Sequence, residues 1–248
     1  MVNKPCCIDL YQGDNVSDNP TPLAGFNRVA QYGIPFVIHK ASEGTTERDS
    51  RYANRRAAWM AQPLITVIDV DGTALHLPPR WGAYHFFHGQ YPTAEAQNFL
   101  AAAILTPGDA AFIDWENVGA SGYAPPAIAA DAFCCGVEDA IGRPCAVYGG
   151  NVPREQCAVT GVPSVVLDRF SVRHLWFCSY GGIMAELPEP WREVGAFLWQ
   201  DDGDRYGPGP HTIPGITTLC DNSTVVASMT VAKLAANWSG SVAGAVVA

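Results

Sequence analysis

Short apolar runs alternate with amphipathic, helix-like segments along most of the chain. The apolar runs predict strands at 6–12, 35–42, 81–87, 110–117, 145–150, 174–180 and 196–202, with a weaker one at 217–222. The amphipathic segments predict helices at about 21–32, 49–61, 93–105 and 125–140. Asp49 and Thr93 are the expected N-caps of the second and third of these helices.

The order of these elements favours one fold class. Strand-then-helix units followed by more closely spaced strands are typical of a parallel barrel rather than of a sandwich or a helix bundle. We therefore expect an α/β fold, a single irregular TIM-like (β/α) barrel over residues 1–228, whose last strands lack full helices.

Two segments depart from this alternation. Residues 62–80, QPLITVIDVDGTALHLPPR, insert a hairpin-like stretch before the third barrel strand, with Asp69 and Asp71 expected to serve its turn at Gly72. Residues 229–248 end in NWSGSVAGAVVA, which is small, apolar and interrupted by Gly and Ser. We expect this second segment to be a C-terminal tail or the start of a linker.

Composition and charge narrow the class of partner. The chain has 248 residues and a formal net charge of -9 without a Lys/Arg cluster, so it can bury a full core and should not bind nucleic acid. The eight cysteines have no CxxC spacing, which favours buried free thiols over zinc sites or a disulfide framework. No apolar run approaches the ~20 residues of a membrane span, and the N-terminus MVNKPCCIDL lacks a signal-peptide pattern.

Two acids follow the apolar run of the fourth strand, in FIDWEN. Side chains in a strand alternate between faces, so Asp114 and Glu116 share a face with Phe112. Two buried carboxyls that repel each other acquire different pKa values, which supplies an acid and a base at one pH. The alternative interpretation is that the strand simply reaches solvent at Asp114.

Other acids end predicted strands in the same way. Asp9 ends the first strand and Asp221 the last, and barrel active sites form where strands end. Aromatic residues at the same level are Tyr84, His85, Phe86, Tyr148, Trp176, Tyr180 and Trp199. Aromatic rings with convergent acids suit a sugar, although core packing is the alternative role for each ring taken singly.

Several motifs occur in a shared order between residues 6 and 225. They are IDLYQG, FVIHKASEGTTERDSRYANRRAAW, GAYHFF, AFIDWEN, VYGGN, LWFCSYG, PEPW, FLWQ and CDNS. In this order they resemble glycoside hydrolase family 25, the Chalaropsis-type lysozymes. The resemblance implies an irregular α/β barrel that hydrolyses the β-1,4 bond between N-acetylmuramic acid and N-acetylglucosamine in peptidoglycan.

The resemblance also implies roles for individual residues. The catalytic set becomes Glu116 as general acid/base, with Asp114, Asp9 and Asp221; for the last of these, Asp201, Asp202 and Asp204 in WQDDGD are alternatives. The residues expected to bind substrate are Tyr84, His85, Tyr148, Trp176, Tyr180, Trp199 and Gln200. The route implied is assistance by the substrate's own 2-acetamido group, with Asp114 orienting that group.

Cofactors and alternative functions complete the predictions. His85 and His88 lie three apart, so on a strand they face opposite sides, and no third ligand is evident; we expect no metal and no cofactor. Two functions are alternatives to a muramidase. The first is a chitin-type glycosidase, but the acid motif of those enzymes, D-x-x-D-x-D-x-E, is matched only in part by DAAFIDWE at residues 109–116. The second is a catalytically silent sugar-binding or virion barrel. We expect a monomer that does not insert into a membrane. We also expect it to be made in the cytoplasm and to act on the bacterial cell wall, either after release, as a phage endolysin does, or as part of a virion.

Overall fold

The computed structural model describes residues 5–16, 22–120, 122–181, 184–203 and 205–240. The strands are β1 (Cys7–Leu10), β2 (Phe36–Glu43), β3 (Glu47–Arg48), β4 (Ile65–Ile68), β5 (Ala74–Leu77), β6 (Arg80–Phe86), β7 (Ala110–Asp114), β8 (Ala146–Gly149), β9 (Leu175–Cys178), β10 (Leu198–Asp202) and β11 (Asp221–Val225). The helices are α1 (Pro22–Tyr32), α2 (Tyr52–Met60), α3 (Pro92–Ala102), α4 (Ala127–Ile141), α5 (Asn151–Cys157), α6 (Ser164–Ser171) and α7 (Val231–Asn237), with a 3-10 helix at Glu189–Trp191.

Eight strands close into a barrel in the order β1, β11, β10, β9, β8, β7, β6 and β2. Closure occurs at β1, which pairs in parallel with β2 and antiparallel with β11. The predicted TIM-like (β/α) barrel is confirmed. Its irregularity lies at the last strand, because β11 runs antiparallel to both β10 and β1 whereas the other barrel strands pair in parallel.

The ends of several elements differ from the predictions. The last strand was predicted to end near Asp221, whereas β11 begins there. Neither Asp49 nor Thr93 is an N-cap, since α2 follows Arg51 and α3 starts at Pro92 after Tyr91. The short helices α5 and α6 were not predicted. Among the described helices, none combines the length and the apolar composition needed to span a bilayer.

Trp238 closes the end of the barrel at which β2 and β6 begin. It is 2 % exposed, its ring lies 4.5 Å from that of Phe36, and its Nε1 donates to the carbonyl oxygen of Trp81 at 2.8 Å. Gly82 makes room for this packing, because a Cβ there would lie 2.8 Å from the ring of Phe112. The C-terminal segment is therefore not a tail over α7 and Trp238, because both bury apolar surface against the barrel. Residues 241–248 of the predicted tail lie outside the described part of the chain.

The inserted segment at 62–80 forms the predicted hairpin, β4 with β5, and contacts the C-terminal helix. The turn contains Gly72 at φ 87°, a conformation that favours glycine. Both Asp69 carboxylate oxygens accept hydrogen bonds from the first backbone N–H groups of α7, at Val231 and Ala232. The two segments that depart from the strand–helix alternation thus hold each other in place.

All eight cysteines are unpaired, as the sequence favours. Six are buried, and Cys135 and Cys178 are partly exposed. Burial raises the pKa of the Cys6 thiol to about 12, which keeps it protonated and inert at neutral pH.

We predict that Trp238→Ala lowers the free energy of unfolding by about 3–5 kcal/mol, because it removes a large buried ring and leaves a cavity at the barrel end. Urea unfolding measures the change. The matched control is Leu64→Ala, at a side chain that is 63 % exposed, which should cost less than about 0.5 kcal/mol. A cost below about 1 kcal/mol for Trp238→Ala would contradict the packing described here.

Candidate active site

A cavity of about 200 Å³ opens at the end of the barrel where the parallel strands finish. We call it the acid pocket. Its lining residues are Asp9, Tyr11, Lys40, Tyr84, Phe86, Asp114, Glu116, Tyr148, Trp176 and Asp221. The structure thus brings together all four acids that the sequence singles out, and it places three of the predicted aromatic residues, Tyr84, Tyr148 and Trp176, around them.

The strand pairing explains how these acids meet. Asp9 and Asp221 are directly opposite each other in the antiparallel ladder of β1 and β11. Because β11 runs the other way, its first residue lies at the same rim as the last residues of the parallel strands. Asp114 ends β7, and Glu116 follows two residues later, beyond the strand pairing but still on the pocket side. Trp115 between them is buried and stacks on Phe170 outside the barrel.

Four carboxyl groups in one small cavity repel one another. Burial raises the pKa of Asp9 well above its usual range, and the like charge of Asp221, directly across on β11, raises it further. Burial likewise raises the pKa of Asp114, with Glu116 as the next cause and Lys40 opposing it. The pKa of Glu116 is raised by burial and then by Asp221. With Lys40 as the only cation lining the acid pocket, these coupled groups retain protons at a pH where free carboxyls are ionised.

Hydrogen bonds fix one side of the acid pocket. Gln200 donates from Nε2 to Asp9 Oδ2 at 3.0 Å, and its Oε1 accepts from the Tyr148 hydroxyl. The Trp176 ring packs against that of Tyr148 at a tilt of 51°, with ring centres 4.2 Å apart, and its Nε1 donates to the hydroxyl of Ser223 at 2.9 Å. On the other side, Asp114 Oδ1 is buried without a hydrogen-bond partner among the described residues, so it is available to a bound ligand.

A second cavity of about 390 Å³ adjoins the acid pocket, and we call it the side cavity. Glu116 lines both cavities, so the two lie side by side with this residue at their junction, and we call them together the cleft. The neighbouring glycines make the side cavity possible, since a Cβ at Gly150 would lie 2.5 Å from the carbonyl oxygen of Cys178. The predicted binding residue Tyr180 lines the side cavity rather than the acid pocket.

Three residues predicted to bind substrate, His85, Trp199 and Gln200, line neither cavity, although Gln200 bonds to two residues that line the acid pocket. His85 is 0 % exposed and points between the barrel and its helices, where Nδ1 bonds to Ser42 at 2.8 Å and Nε2 to Glu95 at 3.2 Å. Its neighbour Tyr84 takes the inward position, because side chains alternate along β6. Trp199 is on the opposite face of β10 from Gln200 and donates to the carbonyl oxygen of Ser179 at 2.9 Å. His85 and Trp199 thus lie outside both cavities, and a substrate-binding role for them stays a prediction without support from this geometry.

The alternatives to Asp221 lie elsewhere. Asp202 is buried and accepts a hydrogen bond from Asn222 at 2.8 Å, and Asp201 is absent from the lining of the acid pocket. Burial raises the pKa of Asp201 to about 6. Asp204 lies outside the described residues. Of the candidates that the structure describes, Asp221 alone reaches the acid pocket.

The sequence analysis assigned no role to two lining residues, Tyr11 and Lys40, and it named Phe86 among the aromatic residues at this level without including it in the substrate-binding set. Lys40 forms an ion pair with Glu43, and its Nζ lies 5.1 Å from the centre of the Phe86 ring. A lysine inside the otherwise apolar run FVIHKAS was the available signal, since a charge within a buried strand calls for a partner. Its position opposite Tyr84 in the β2–β6 ladder explains why it faces the acids.

Metal binding has no candidate in the described part of the chain. No group of three or more His, Cys, Asp and Glu side chains there has an arrangement that could hold an ion. His88 instead contacts Glu43 at 3.1 Å, and His85 contacts Glu95.

Solved structures with the same fold are found in bacteria and fungi. The bacterial lysozyme of Streptomyces coelicolor has a TM-score of 0.64 and 19 % identity, over 93 % of this chain and 95 % of that one. The muramidase of Acremonium alcalophilum has a TM-score of 0.64 and 20 % identity, over 93 % of this chain and 97 % of that one. A family 25 glycosyl hydrolase of Bacillus anthracis has a TM-score of 0.59 and 16 % identity, over 90 % and 89 %.

The fold of this chain is the irregular (β/α) barrel of these solved structures. Each of the first two matches covers 93 % of this chain. By sequence alone, neither a family model nor a curated protein matches the chain. The comparisons therefore establish the fold, and the chemistry must be argued from the site.

We predict that Asp114→Asn raises the free energy of unfolding at pH 7 by about 0.5–2 kcal/mol. Burial and then the charge of Glu116 raise the pKa of Asp114, so the folded protein binds this proton more tightly than the unfolded chain does. The folded parent therefore loses stability as pH rises between the unfolded and folded pKa values. The advantage of the variant should shrink as pH falls to about 4, where the unfolded chain is also protonated.

Urea unfolding of parent and variant between about pH 4 and 8 measures this difference. The control is Asp139→Asn, at an exposed position on α4. A variant that is less stable than the parent at neutral pH, or one whose advantage grows on acidification, would contradict the electrostatic account of the acid pocket.

Proposed function

We propose that this protein is a muramidase, a glycoside hydrolase that cleaves the β-1,4 bond between N-acetylmuramic acid and N-acetylglucosamine in peptidoglycan. The observation that carries the proposal is the position of Glu116. Its carboxyl has a raised pKa and lies at the junction of two adjoining cavities, one of them lined by acids and aromatic rings. A polymer that occupies both cavities has a bond beside this carboxyl.

The lining of the acid pocket supports a sugar as the ligand. Tyr84, Tyr148 and Trp176 present ring surfaces on which the C–H faces of a sugar can stack, and the carboxyls offer acceptors for hydroxyl and amide groups. The names of the structural neighbours point the same way, because those proteins are a lysozyme, a muramidase and a glycosyl hydrolase.

In the proposed mechanism, protonated Glu116 gives its proton to the glycosidic oxygen as the bond to the leaving sugar breaks. The positive charge that develops on the ring is stabilised by the surrounding carboxylates and trapped by the oxygen of the substrate's own 2-acetamido group. Asp114, whose Oδ1 has no partner among the described residues, accepts the N–H of that group and orients it. Glu116, now ionised, then removes a proton from the water that opens the intermediate.

The arrangement favours this assisted route over a carboxylate nucleophile. A retaining enzyme with such a nucleophile holds its two carboxyls about 5–5.5 Å apart on opposite sides of the bond. Asp114 and Glu116 come from the end of the same strand and face the pocket together. The proposed partner is bacterial cell-wall peptidoglycan. We propose that the protein reaches it after release from the cell that makes it.

We predict that Glu116→Gln lowers the rate of wall digestion by at least about 10²–10⁴-fold, because the amide cannot donate the proton that the leaving group needs. Release of dye from labelled bacterial walls measures the rate, and labelled chitin serves as the second substrate. The matched control is Glu193→Gln, at an exposed glutamate, which should keep the parent rate. Activity of Glu116→Gln within about threefold of the parent would refute the assignment, and faster release from chitin would favour a chitin-type glycosidase.

A second prediction concerns pH. The negative charge of Asp221 helps to raise the pKa of Glu116, so Asp221→Asn should lower that pKa. Since the acid must be protonated to act, activity falls as pH rises through the pKa of Glu116. The alkaline limb of the pH–rate profile should therefore move to lower pH in Asp221→Asn, whatever happens to its maximal rate. A limb that stays in place or moves to higher pH would mean that another group controls it.

A further inference from the structure

The side cavity contains a cation that the proposed chemistry does not use. Arg154 on α5 lines this cavity together with Asn117, Asn151, Ser179 and Tyr180. Glu116, at the junction, is the one acid among the side-cavity residues, whereas the acid pocket has four. The cleft therefore changes electrostatic character from one side of Glu116 to the other.

Arg154 is held in position without a carboxylate. Its Nε donates to the carbonyl oxygen of Glu186 at 3.2 Å, its Nη1 donates to Asn151 Oδ1 at 3.2 Å, and the guanidinium lies 5.9 Å from the ring centre of Phe177. Some arginines of the protein form ion pairs, such as Arg56 with Asp109, Arg173 with Asp131 and Glu138, and Arg192 with Glu186 and Glu189, whereas others, such as Arg48 and Arg51, form none among the described residues. No ion pair of Arg154 occurs among the described residues, so N–H groups of an oriented guanidinium remain available.

A fixed guanidinium with free N–H groups is suited to a carboxylate, which it can bind through two parallel hydrogen bonds. This guanidinium is a local positive charge on a chain whose formal net charge is -9. An acidic ligand approaching the cleft would be repelled by the acid pocket and attracted at this one place. The uncharged polar side chains around Arg154 can satisfy the amide groups that accompany such a carboxylate.

We infer that Arg154 in the side cavity binds a carboxylate carried by a muramic acid residue of the substrate, and that the protein distinguishes strands by this group. The inference rests on the proposed function, because a strand cleaved at Glu116 has its muramic acid next to the junction. The carboxylate has two possible sources, the peptide attached to the muramic acid or the lactyl group itself once the peptide is removed. Arg154 is thus a specificity-determining residue rather than a catalytic one.

The test compares three soluble preparations of the same peptidoglycan strands. The first has its peptides with free carboxylates, the second has those carboxyls capped as methylamides, and the third has its peptides removed by an amidase, which frees the lactyl carboxylates. Release of new reducing ends gives kcat and KM for the parent, Arg154→Gln, Arg154→Lys and the control Arg28→Gln, at an exposed arginine on α1.

We expect the parent to cleave the free-carboxylate strands with a kcat/KM about tenfold above that for the capped strands, mainly through KM. In Arg154→Gln this ratio of kcat/KM values falls to about one. In Arg154→Lys it is intermediate, because lysine keeps the positive charge but lacks the planar guanidinium that binds a carboxylate through two hydrogen bonds. In Arg28→Gln it equals that of the parent. If the parent prefers the amidase-treated strands to the capped ones, the lactyl carboxylate is the ligand. If it shows no such preference, the ligand is a carboxylate of the peptide.

Either of two results overturns the inference. The first is that the parent cleaves free and capped strands equally well. The second is that Arg154→Gln keeps the parent ratio, provided that both variants at Arg154 unfold within about 3 °C of the parent. Failure of the proposed function is distinct, because the parent would then release no reducing ends from any of the three preparations.

Discussion

Closure of the barrel at β1 is the constraint on which the site depends. Because β1 pairs with β2 on one side and antiparallel with β11 on the other, Asp9 and Asp221 are placed face to face at the rim. Like charges directly opposite each other on neighbouring strands destabilise a sheet. The rest of the barrel therefore has to compensate for an electrostatic cost concentrated at one end, where Asp114 and Glu116 add to it.

That cost is also the source of the chemistry. Burial and mutual repulsion raise the pKa values of Asp9, Asp114 and Glu116. The opposite end of the barrel is closed by apolar packing, with Trp238 seated against Phe36. The rim of the barrel therefore holds groups that repel one another and its base holds apolar packing, so substitutions at the two ends should have opposite effects on the free energy of unfolding.

Much of this arrangement could be predicted from the sequence, since apolar runs that end in an acid mark both a strand and its rim. Asp9, Asp114 and Glu116 were found in this way. Asp221 was found for a partly wrong reason, because it begins an antiparallel strand and does not end a parallel one. His85 was misplaced because both faces of β6 are buried, so alternation alone cannot tell which of Tyr84 and His85 faces the cavity. Trp238 was missed because its burial depends on contacts with distant residues, which local composition does not reveal.

The central claim is that Glu116 and its neighbouring carboxyls break the bond on the reducing side of N-acetylmuramic acid. Mass spectrometry of digested bacterial walls, after borohydride reduction of the products, tests it most directly. The account predicts that every newly formed end is N-acetylmuramitol. New ends of N-acetylglucosaminitol, or freed peptides without new reducing ends, would contradict it.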